Sequence, residues 1–269
     1  MEKINKNSQF NSPIVIILLS IIVIMGVYFL YNQNNNTTST QQQPIDTTPP
    51  IKKSATANPP TPKDLPSIIA EWSPSAALIL CNFNNGDSDF GSGFLYSNSD
   101  GSIKVLTNKH VLTEDIQGNL PVSCSIKIPG NGNNFYTQKD SDTFVINDKF
   151  DWAFFNITNG DTYFNGIAKR NGNLSVCQKQ ERTGDSIVIL GYPDYAGQFA
   201  NPTATEGIIS GYASPYYTTS AQIESGNSGG IAIDIKNDCY IGIPSAVKLG
   251  QYANLGRILN ANVPFNLSY

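Results

Sequence analysis

Three side chains that together could perform nucleophilic catalysis follow one another along the chain. The only histidine, His110, lies in Thr-Asn-Lys-His-Val, Asp151 opens Asp-Trp-Ala-Phe-Phe, and Ser228 lies in Gly-Asn-Ser-Gly-Gly. A serine hydroxyl is a poor nucleophile at neutral pH, so a neighbouring base must take its proton as it attacks a carbonyl. The ordinary pKa of histidine suits that task, and a carboxylate on the other ring nitrogen fixes the tautomer. The order His, Asp, Ser therefore predicts a catalytic triad.

Glycines on both sides of Ser228 allow backbone conformations that a Cβ atom would forbid. The backbone of Gly226, Asn227 and Ser228 can then form an oxyanion hole, with the N–H groups of Gly226 and Ser228 pointing at one spot. Donors fixed around such a spot stabilise the negative charge that develops on an attacked carbonyl oxygen.

These motifs, with Gly-Tyr-Pro at 191–193 and Glu-Gly-Ile-Ile-Ser at 206–210, resemble the trypsin-like serine peptidases, especially the bacterial HtrA-type protease domain. The resemblance covers about residues 65–269. It implies a serine endopeptidase that hydrolyses peptide bonds through an acyl-enzyme on Ser228, with His110 as general base. No cofactor or metal is expected.

The resemblance also implies an all-β fold of two six-stranded antiparallel Greek-key barrels. Barrel one would span about residues 65–158 and carry His110 and Asp151, and barrel two about residues 172–269. Recurring Asn-Gly and Asp-Gly pairs are typical of tight hairpins. Between them, β-branched and aromatic residues predict twelve strands. The first six cover residues 75–83, 91–98, 103–109, 122–128, 134–147 and 152–157, and the second six 174–178, 185–191, 204–213, 216–223, 229–235 and 239–248.

Three departures from the family pattern accompany this resemblance. Asn227 stands where digestive-type members have an Asp that pairs with a freshly cleaved N-terminus, so no activating cleavage is expected. Ile231 replaces a Pro that often follows the nucleophile motif. We expect no PDZ module after Ser228, because the remaining residues are needed to complete barrel two.

Alternatives to the triad come from the residues themselves. A lone histidine can be structural, and Asp142, Asp148 and Asp161 are rivals for the role of Asp151. A second hypothesis is a catalytically silent barrel that binds peptides or a partner protein. The joint occurrence of all three residues in the right order favours the enzyme.

Specificity residues follow only from the resemblance. It places Gln222 near the base of the primary specificity pocket, and Ser245, Ala246 and Val247 on the strand that pairs with substrate. The lack of an acidic residue at position 222 argues against a preference for Lys or Arg and favours a small or medium apolar side chain. Arg257 would favour acidic side chains only if it pointed into the pocket, and we expect it to point to solvent.

An apolar segment without charge, residues 13–31, has the length needed to cross a bilayer as a helix. Lys3 and Lys6 precede it, so the positive-inside rule places residues 1–12 in the cytoplasm and the catalytic domain outside. A cleaved signal peptide is the alternative, which would give a secreted protein, but the segment is long and lacks a small-residue cleavage site. Residues 32–64, rich in Asn, Thr, Gln and Pro, predict a disordered linker.

Charge and cysteine content agree with an exported peptidase. Only 14% of residues are charged and the net charge is −4, which provides no basic surface for nucleic acid. The expected partners are a protein or peptide substrate and the membrane. Family strand order places Cys81 beside Cys124, and Cys177 and Cys239 both fall in barrel two. We expect these two pairings, although four cysteines allow three connectivities.

Overall fold

The computed structural model describes residues 63–97, 102–113, 119–130, 135–139, 144–157, 164, 175–193, 201–245 and 255–266. All of them belong to one compact unit. The predicted cytoplasmic segment 1–12 and membrane helix 13–31 lie outside these residues, as does the predicted linker up to residue 62. None of the helices in the described ranges has the length and apolar character that crossing a membrane requires.

Seven strands form the first sheet, in the order β5-β4-β1-β2-β3-β7-β6. Neighbouring strands are antiparallel throughout. The strands are β1 (Ala76–Asn82), β2 (Ser88–Ser97), β3 (Ile103–Thr107), β4 (Ser123–Lys127), β5 (Tyr136–Gln138), β6 (Phe144–Ile146) and β7 (Ala153–Asn156). The run β4-β1-β2-β3 has the Greek-key order, since the fourth strand returns beside the first.

Six strands of the second sheet close into a barrel, because β12 pairs both with β9 and with β13. The order β12-β9-β10-β11-β14-β13 again contains a Greek key, and β8 adds a parallel strand beside β13. The strands are β8 (Ser175–Val176), β9 (Ser186–Gly191), β10 (Thr203–Ala213), β11 (Tyr216–Thr219), β12 (Ile231–Asp234), β13 (Cys239–Ser245) and β14 (Gly256–Asn260). A short helix, α2 (Asn262–Phe265), follows β14.

The all-β prediction is confirmed, but two closed six-stranded barrels are not found. The first sheet is a half-barrel, because the single strand predicted over 134–147 is two three-residue strands. Of these, β5 pairs with β4 and β6 pairs with β7, at opposite edges of the sheet. No pairing between the described residues joins these two edges.

A helix that the sequence analysis did not predict begins the described domain. Helix α1 (Leu65–Trp72) has Asp64 as its N-cap, whose carboxylate accepts the N–H of Ser67. Trp72 is fully buried; its ring lies 6.1 Å from that of Phe94 on β2, and its Nε1 donates to Asp238 at 2.8 Å. Because Phe94 belongs to the first sheet and Asp238 to the β12–β13 turn, α1 fastens the two sheets together.

The layer between the sheets is an apolar core. Leu78, Phe94 and Leu106 from the first sheet pack in one cluster with residues of the second, including Leu190 and Ile243. Burying such side chains is the dominant favourable contribution to folding, at about 25 cal/mol per Å² of apolar surface. This core holds the strand ends of both sheets in a fixed relation.

Each sheet also contains one disulfide. Cys81 and Cys124 face each other directly on β1 and β4, and Cys177 is bonded to Cys239 at the start of β13. Both pairings are the expected ones, and none of the four cysteines is free. A disulfide typically stabilises a domain by about 2 to 4 kcal/mol.

A buried carboxyl pair lies beside the second disulfide. Glu181 and Asp234 are 6% and 1% exposed. Burial, together with the hydrogen bond and charge of Asp234, raises the pKa of Glu181 to about 8, with a further contribution from Asp185 and an opposing one from Arg182. Asp234 accepts the N–H groups of Lys236 and Asn237 and the Asn237 side-chain amide. Glu181 is therefore protonated at neutral pH.

We expect this pair to make stability depend on pH. The unfolded Glu181 titrates near 4.5 and the folded one near 8, so its contribution is complete below pH 4.5 and is lost as pH rises towards 8. That loss amounts to about 5 kcal/mol at most. In Glu181→Gln the unfolding free energy, measured by urea titration from pH 5 to 9, should fall less steeply than in the native protein. Parallel profiles for the two proteins would contradict this.

Candidate active site

His110 lies just beyond the end of β3. The strand ends at Thr107, and a single 3-10 turn over Lys109–Val111 carries the histidine. The next residue, Val111, is 1% exposed and belongs to the first-sheet core, so the turn is anchored while the imidazole stays 48% exposed. His110 itself belongs to this turn.

Asp151 reaches His110 because their strands are neighbours. It lies two residues before the start of β7, which pairs with β3 in a register that places Ala153 opposite Thr107. Its Oδ2 lies 2.9 Å from His110 Nδ1 and its Oδ1 lies 3.1 Å from the same nitrogen. The His110 backbone N–H also donates to Oδ1 at 3.2 Å. The backbone N–H and the ring of His110 are thus both bonded to one carboxylate.

Two further residues hold Asp151. Buried Asn108 donates from Nδ2 to the Asp151 carbonyl at 2.7 Å and to its Oδ2 at 3.3 Å. Ser245, at the end of β13, donates its hydroxyl to Oδ2 at 3.3 Å, so the second barrel also contacts this carboxylate. The sequence analysis missed Asn108. Its position two residues before His110 was the signal that could have identified it. It assigned Ser245 to substrate pairing alone.

The charges of this pair support each other. Burial raises the pKa of Asp151, but the hydrogen bonds and charge of His110, with the Ser245 hydrogen bond, outweigh it and hold the pKa below 3.8. Burial likewise disfavours the imidazolium, yet the hydrogen bond and charge of Asp151, with a smaller contribution from Asp89, raise the pKa of His110 above 6.5. Asp151 is therefore ionised wherever His110 can act as a base.

This shift predicts the pH profile. The general base must be neutral, so kcat/KM should rise along one ionisation, which the sequence alone places at about 6 to 7 and the Asp151 contact moves above 6.5. Asp89→Asn should move the midpoint to lower pH, because it removes a charge that favours the imidazolium. A profile flat between pH 5 and 8, or a midpoint below 6.5, would contradict the assignment.

Ser228 follows a tight turn. The N–H of Asn227 donates to the carbonyl of Glu224 at 3.0 Å, and Gly226 within that turn has φ +87, which favours glycine. The turn uses the Asn227 N–H, so this group is not a donor of the predicted oxyanion hole. The predicted donors are then the N–H groups of Gly226 and Ser228, which belong to the peptides on either side.

The nucleophile turn meets the histidine turn at Gly91 of β2. A Cβ atom added to Gly91 would lie 2.6 Å from Val111 Cγ2 and 3.1 Å from the Ser228 carbonyl oxygen. The side chain of Val111 and the backbone of Ser228 therefore both lie close to the Cα atom of Gly91. Only glycine, which has no Cβ atom, fits between them. The structure brings the three predicted catalytic residues to one junction between the sheets.

The Asn227 side chain is buried at this junction. It is 3% exposed, and its Oδ1 has no hydrogen-bond partner in the described part of the chain. A carboxylate in its place would bury an unpaired charge, which is costly.

The predicted substrate-binding residues are only partly described, since Ala246 and Val247 lie outside the described residues. Gln222 is exposed, and its Nε2 donates to Glu224 at 2.5 Å. Arg257 is exposed too, with its guanidinium carbon 3.9 Å from the ring centre of Tyr216. Stacking on the tyrosine ring uses the apolar face of the guanidinium and leaves its edge to water.

Comparisons with known proteins agree with this geometry. The family model of the trypsin-like peptidase domain matches residues 91–243. No curated protein sequence shows significant similarity to the chain. The Rv3671c protease from M. tuberculosis in its active form is similar in structure, with a TM-score of 0.54, 22% identity, and coverage of 83% of this chain and 90% of that one.

Two further solved structures are similar. A serine endoprotease from Yersinia pestis has a TM-score of 0.56 and 19% identity over 77% of this chain and 66% of its own. The HtrA-type protease AlgW, solved with a tripeptide, has a TM-score of 0.54 and 20% identity over 76% and 62%. The family model covers more than half of this chain, including the Ser228 turn and the His110–Asp151 pair, and the chain belongs to the trypsin-like peptidases, a family of serine endopeptidases.

Proposed function

We propose that the chain is a membrane-anchored serine endopeptidase that acts outside the cytoplasm through an acyl-enzyme on Ser228. The contact between His110 Nδ1 and Asp151 Oδ2 at 2.9 Å carries this proposal. An ionised carboxylate on Nδ1 leaves Nε2 as the nitrogen that accepts a proton.

The reaction follows from this arrangement. Neutral His110 takes the Ser228 hydroxyl proton as Oγ adds to the peptide carbonyl, and Asp151 stabilises the imidazolium. The N–H groups of Gly226 and Ser228 stabilise the oxyanion. The C–N bond then breaks as the imidazolium protonates the leaving amine, and a water molecule, activated by His110, hydrolyses the ester.

The extracytoplasmic location rests on two supports. The apolar segment 13–31 follows Lys3 and Lys6, which favours an N-terminus in the cytoplasm. The second support is the pair of disulfides, since such bonds persist in oxidising compartments. With residues 32–62 of the predicted linker taken as a flexible coil of about 30 Å, the proposal favours substrates near the membrane surface. Carbonate extraction of membranes tests the anchor: recovery of the chain in the soluble fraction would support the cleaved alternative.

The proposed substrate is a protein or peptide with a small or medium apolar side chain before the cleaved bond. Neither Gln222 nor exposed Arg257 provides a buried charge for a charged side chain. A peptide library with one varied position before the cleaved bond would measure this preference.

We expect Ser228→Ala and His110→Ala each to lower peptide hydrolysis by several orders of magnitude with unchanged folding. Hydrolysis by purified full chain in detergent, with circular dichroism as the folding control, measures this. Equal rates for the native protein and Ser228→Ala would leave the silent, peptide-binding alternative in place of the enzyme.

A further inference from the structure

Ser92 lies in the middle of β2, is fully buried, and contacts the nucleophile turn from the other sheet. Its hydroxyl donates to the carbonyl of Gly226 at 2.7 Å and accepts the N–H of Tyr192 at 2.7 Å. Its backbone N–H donates to the carbonyl of Ser228 at 2.8 Å. Its own carbonyl accepts the hydroxyl of Thr107 at 2.7 Å. One residue of the first sheet therefore binds the turn at two carbonyls.

These contacts complete the restraint of the peptides around the nucleophile. The Gly226–Asn227 peptide is fixed at both ends, by the Ser92 hydroxyl on its carbonyl and by the Glu224 carbonyl on its N–H. The Ser228–Gly229 peptide is fixed by the Ser92 N–H on one side and the Pro244 carbonyl on the other. The two N–H groups assigned to the oxyanion hole are therefore next to peptides that both sheets hold by hydrogen bonds.

A hydroxyl is needed at position 92 because it must donate and accept at once. Alanine would leave the Gly226 carbonyl and the Tyr192 N–H without this partner in a buried site. A buried carbonyl without a hydrogen-bond donor costs free energy, so a movement that brings the carbonyl to a new donor becomes favourable. Gly226 has no Cβ atom to oppose such a movement, so its peptides can rotate.

We propose that Ser92 is a positioning residue of the peptidase reaction. Its hydroxyl holds the Gly226–Asn227 peptide in the orientation that forms the oxyanion hole. This inference rests on the proposed function. The role belongs to the first sheet, although every group that it positions belongs to the second. Nucleophile and oxyanion hole therefore depend on a contact between the sheets.

The test compares Ser92→Ala with Thr219→Val in the full chain. Thr219 is a matched control, since it is also fully buried, donates its hydroxyl to the Ile208 carbonyl at 2.8 Å and accepts the N–H of Ala221 at 3.0 Å. Removing one oxyanion donor lowers kcat by about 10² to 10³ in other enzymes. We expect Ser92→Ala to lower kcat by about 10- to 100-fold, with KM and the pH midpoint of His110 unchanged.

A peptide aldehyde gives an independent readout. Ser228 Oγ adds to the aldehyde carbon, its proton passes to His110, and the former carbonyl oxygen becomes the oxyanion. The affinity of Ser92→Ala for the aldehyde should fall by the same factor as kcat, because both report binding of the oxyanion. Thr219→Val should lower the melting temperature comparably and leave kcat and aldehyde affinity unchanged.

Ser92→Cys keeps a weaker donor at the same place and should restore part of kcat, which also decides the matter if the alanine variant does not fold. Native kcat and aldehyde affinity in a folded Ser92→Ala would overturn the positioning role while leaving the proposed function intact. Equal losses in Ser92→Ala and Thr219→Val would overturn it as well. A native protein that neither hydrolyses peptides nor binds the aldehyde would overturn both proposals.

Discussion

Asp151→Asn is expected to lower kcat by about four orders of magnitude while the protein stays folded. The same replacement in other triad enzymes has this effect, because an amide stabilises the wrong imidazole tautomer. Here the carboxylate binds both His110 Nδ1 and the His110 backbone N–H. The asparagine would preserve the shape of the site and lose the charge that raises the pKa of His110. Peptide hydrolysis between pH 5 and 9 measures the loss, and the remaining activity should have a lower pH midpoint.

Asp148→Asn is the matched control. Asp148 is an exposed carboxylate three residues before Asp151, and it was one of the rivals in the sequence. We expect native kcat in this variant. Comparable losses in the two variants would show that Asp151 acts through general charge and not through His110.

Gly229→Ala is expected to abolish activity and to destabilise the fold strongly. Gly229 has φ +87, and an added Cβ would lie 2.1 Å from Thr107 Oγ1 and 2.2 Å from the Ser92 carbonyl oxygen. Left-handed strain and overpacking together cost about 2 to 6 kcal/mol. Any relief must displace the residue next to Ser228, and a displacement of about 1 Å in an active site can cost about 10²-fold in rate. Urea unfolding and peptide hydrolysis measure the two effects.

Gly130 separates strain from packing. It has φ +86, and an added Cβ meets no atom within 4 Å. Gly130→Ala should therefore show only the strain, with about 1 to 3 kcal/mol of lost stability and native kcat. If Gly229→Ala were as stable and as active as Gly130→Ala, the close approach of the sheets at the nucleophile would be wrong.

Short motifs made much of the site predictable. His110 and Asp151 lie next to two predicted strands, 103–109 and 152–157, and the pairing of these strands brings their side chains together. The strand order that the resemblance implied placed Cys81 beside Cys124, and Cys177 and Cys239 were paired because both fall in barrel two. What such motifs provide is residue type and chain order.

The missed features depend on contacts between distant segments. Helix α1 was not predicted, because its stability comes from the hydrogen bond of Trp72 to Asp238, far along the chain. The strand predicted over 134–147 divides because its two parts pair with different neighbours. Ser92 lies between two glycines in the predicted strand 91–98, and only the fold shows its hydroxyl bonded to the Gly226 carbonyl. The backbone use of the Asn227 N–H in a turn is likewise invisible in the sequence.

The central claim is that Ser228 is a nucleophile activated by His110. Its most direct test is the reaction of the full chain with a fluorophosphonate, followed by mass spectrometry of the digested protein. Attack of the Ser228 hydroxyl on phosphorus with loss of fluoride should leave one adduct, on the peptide that contains Ser228. Labelling should disappear in Ser228→Ala and slow by orders of magnitude in His110→Ala. A folded native protein without an adduct, or with the adduct on another residue, would contradict the account.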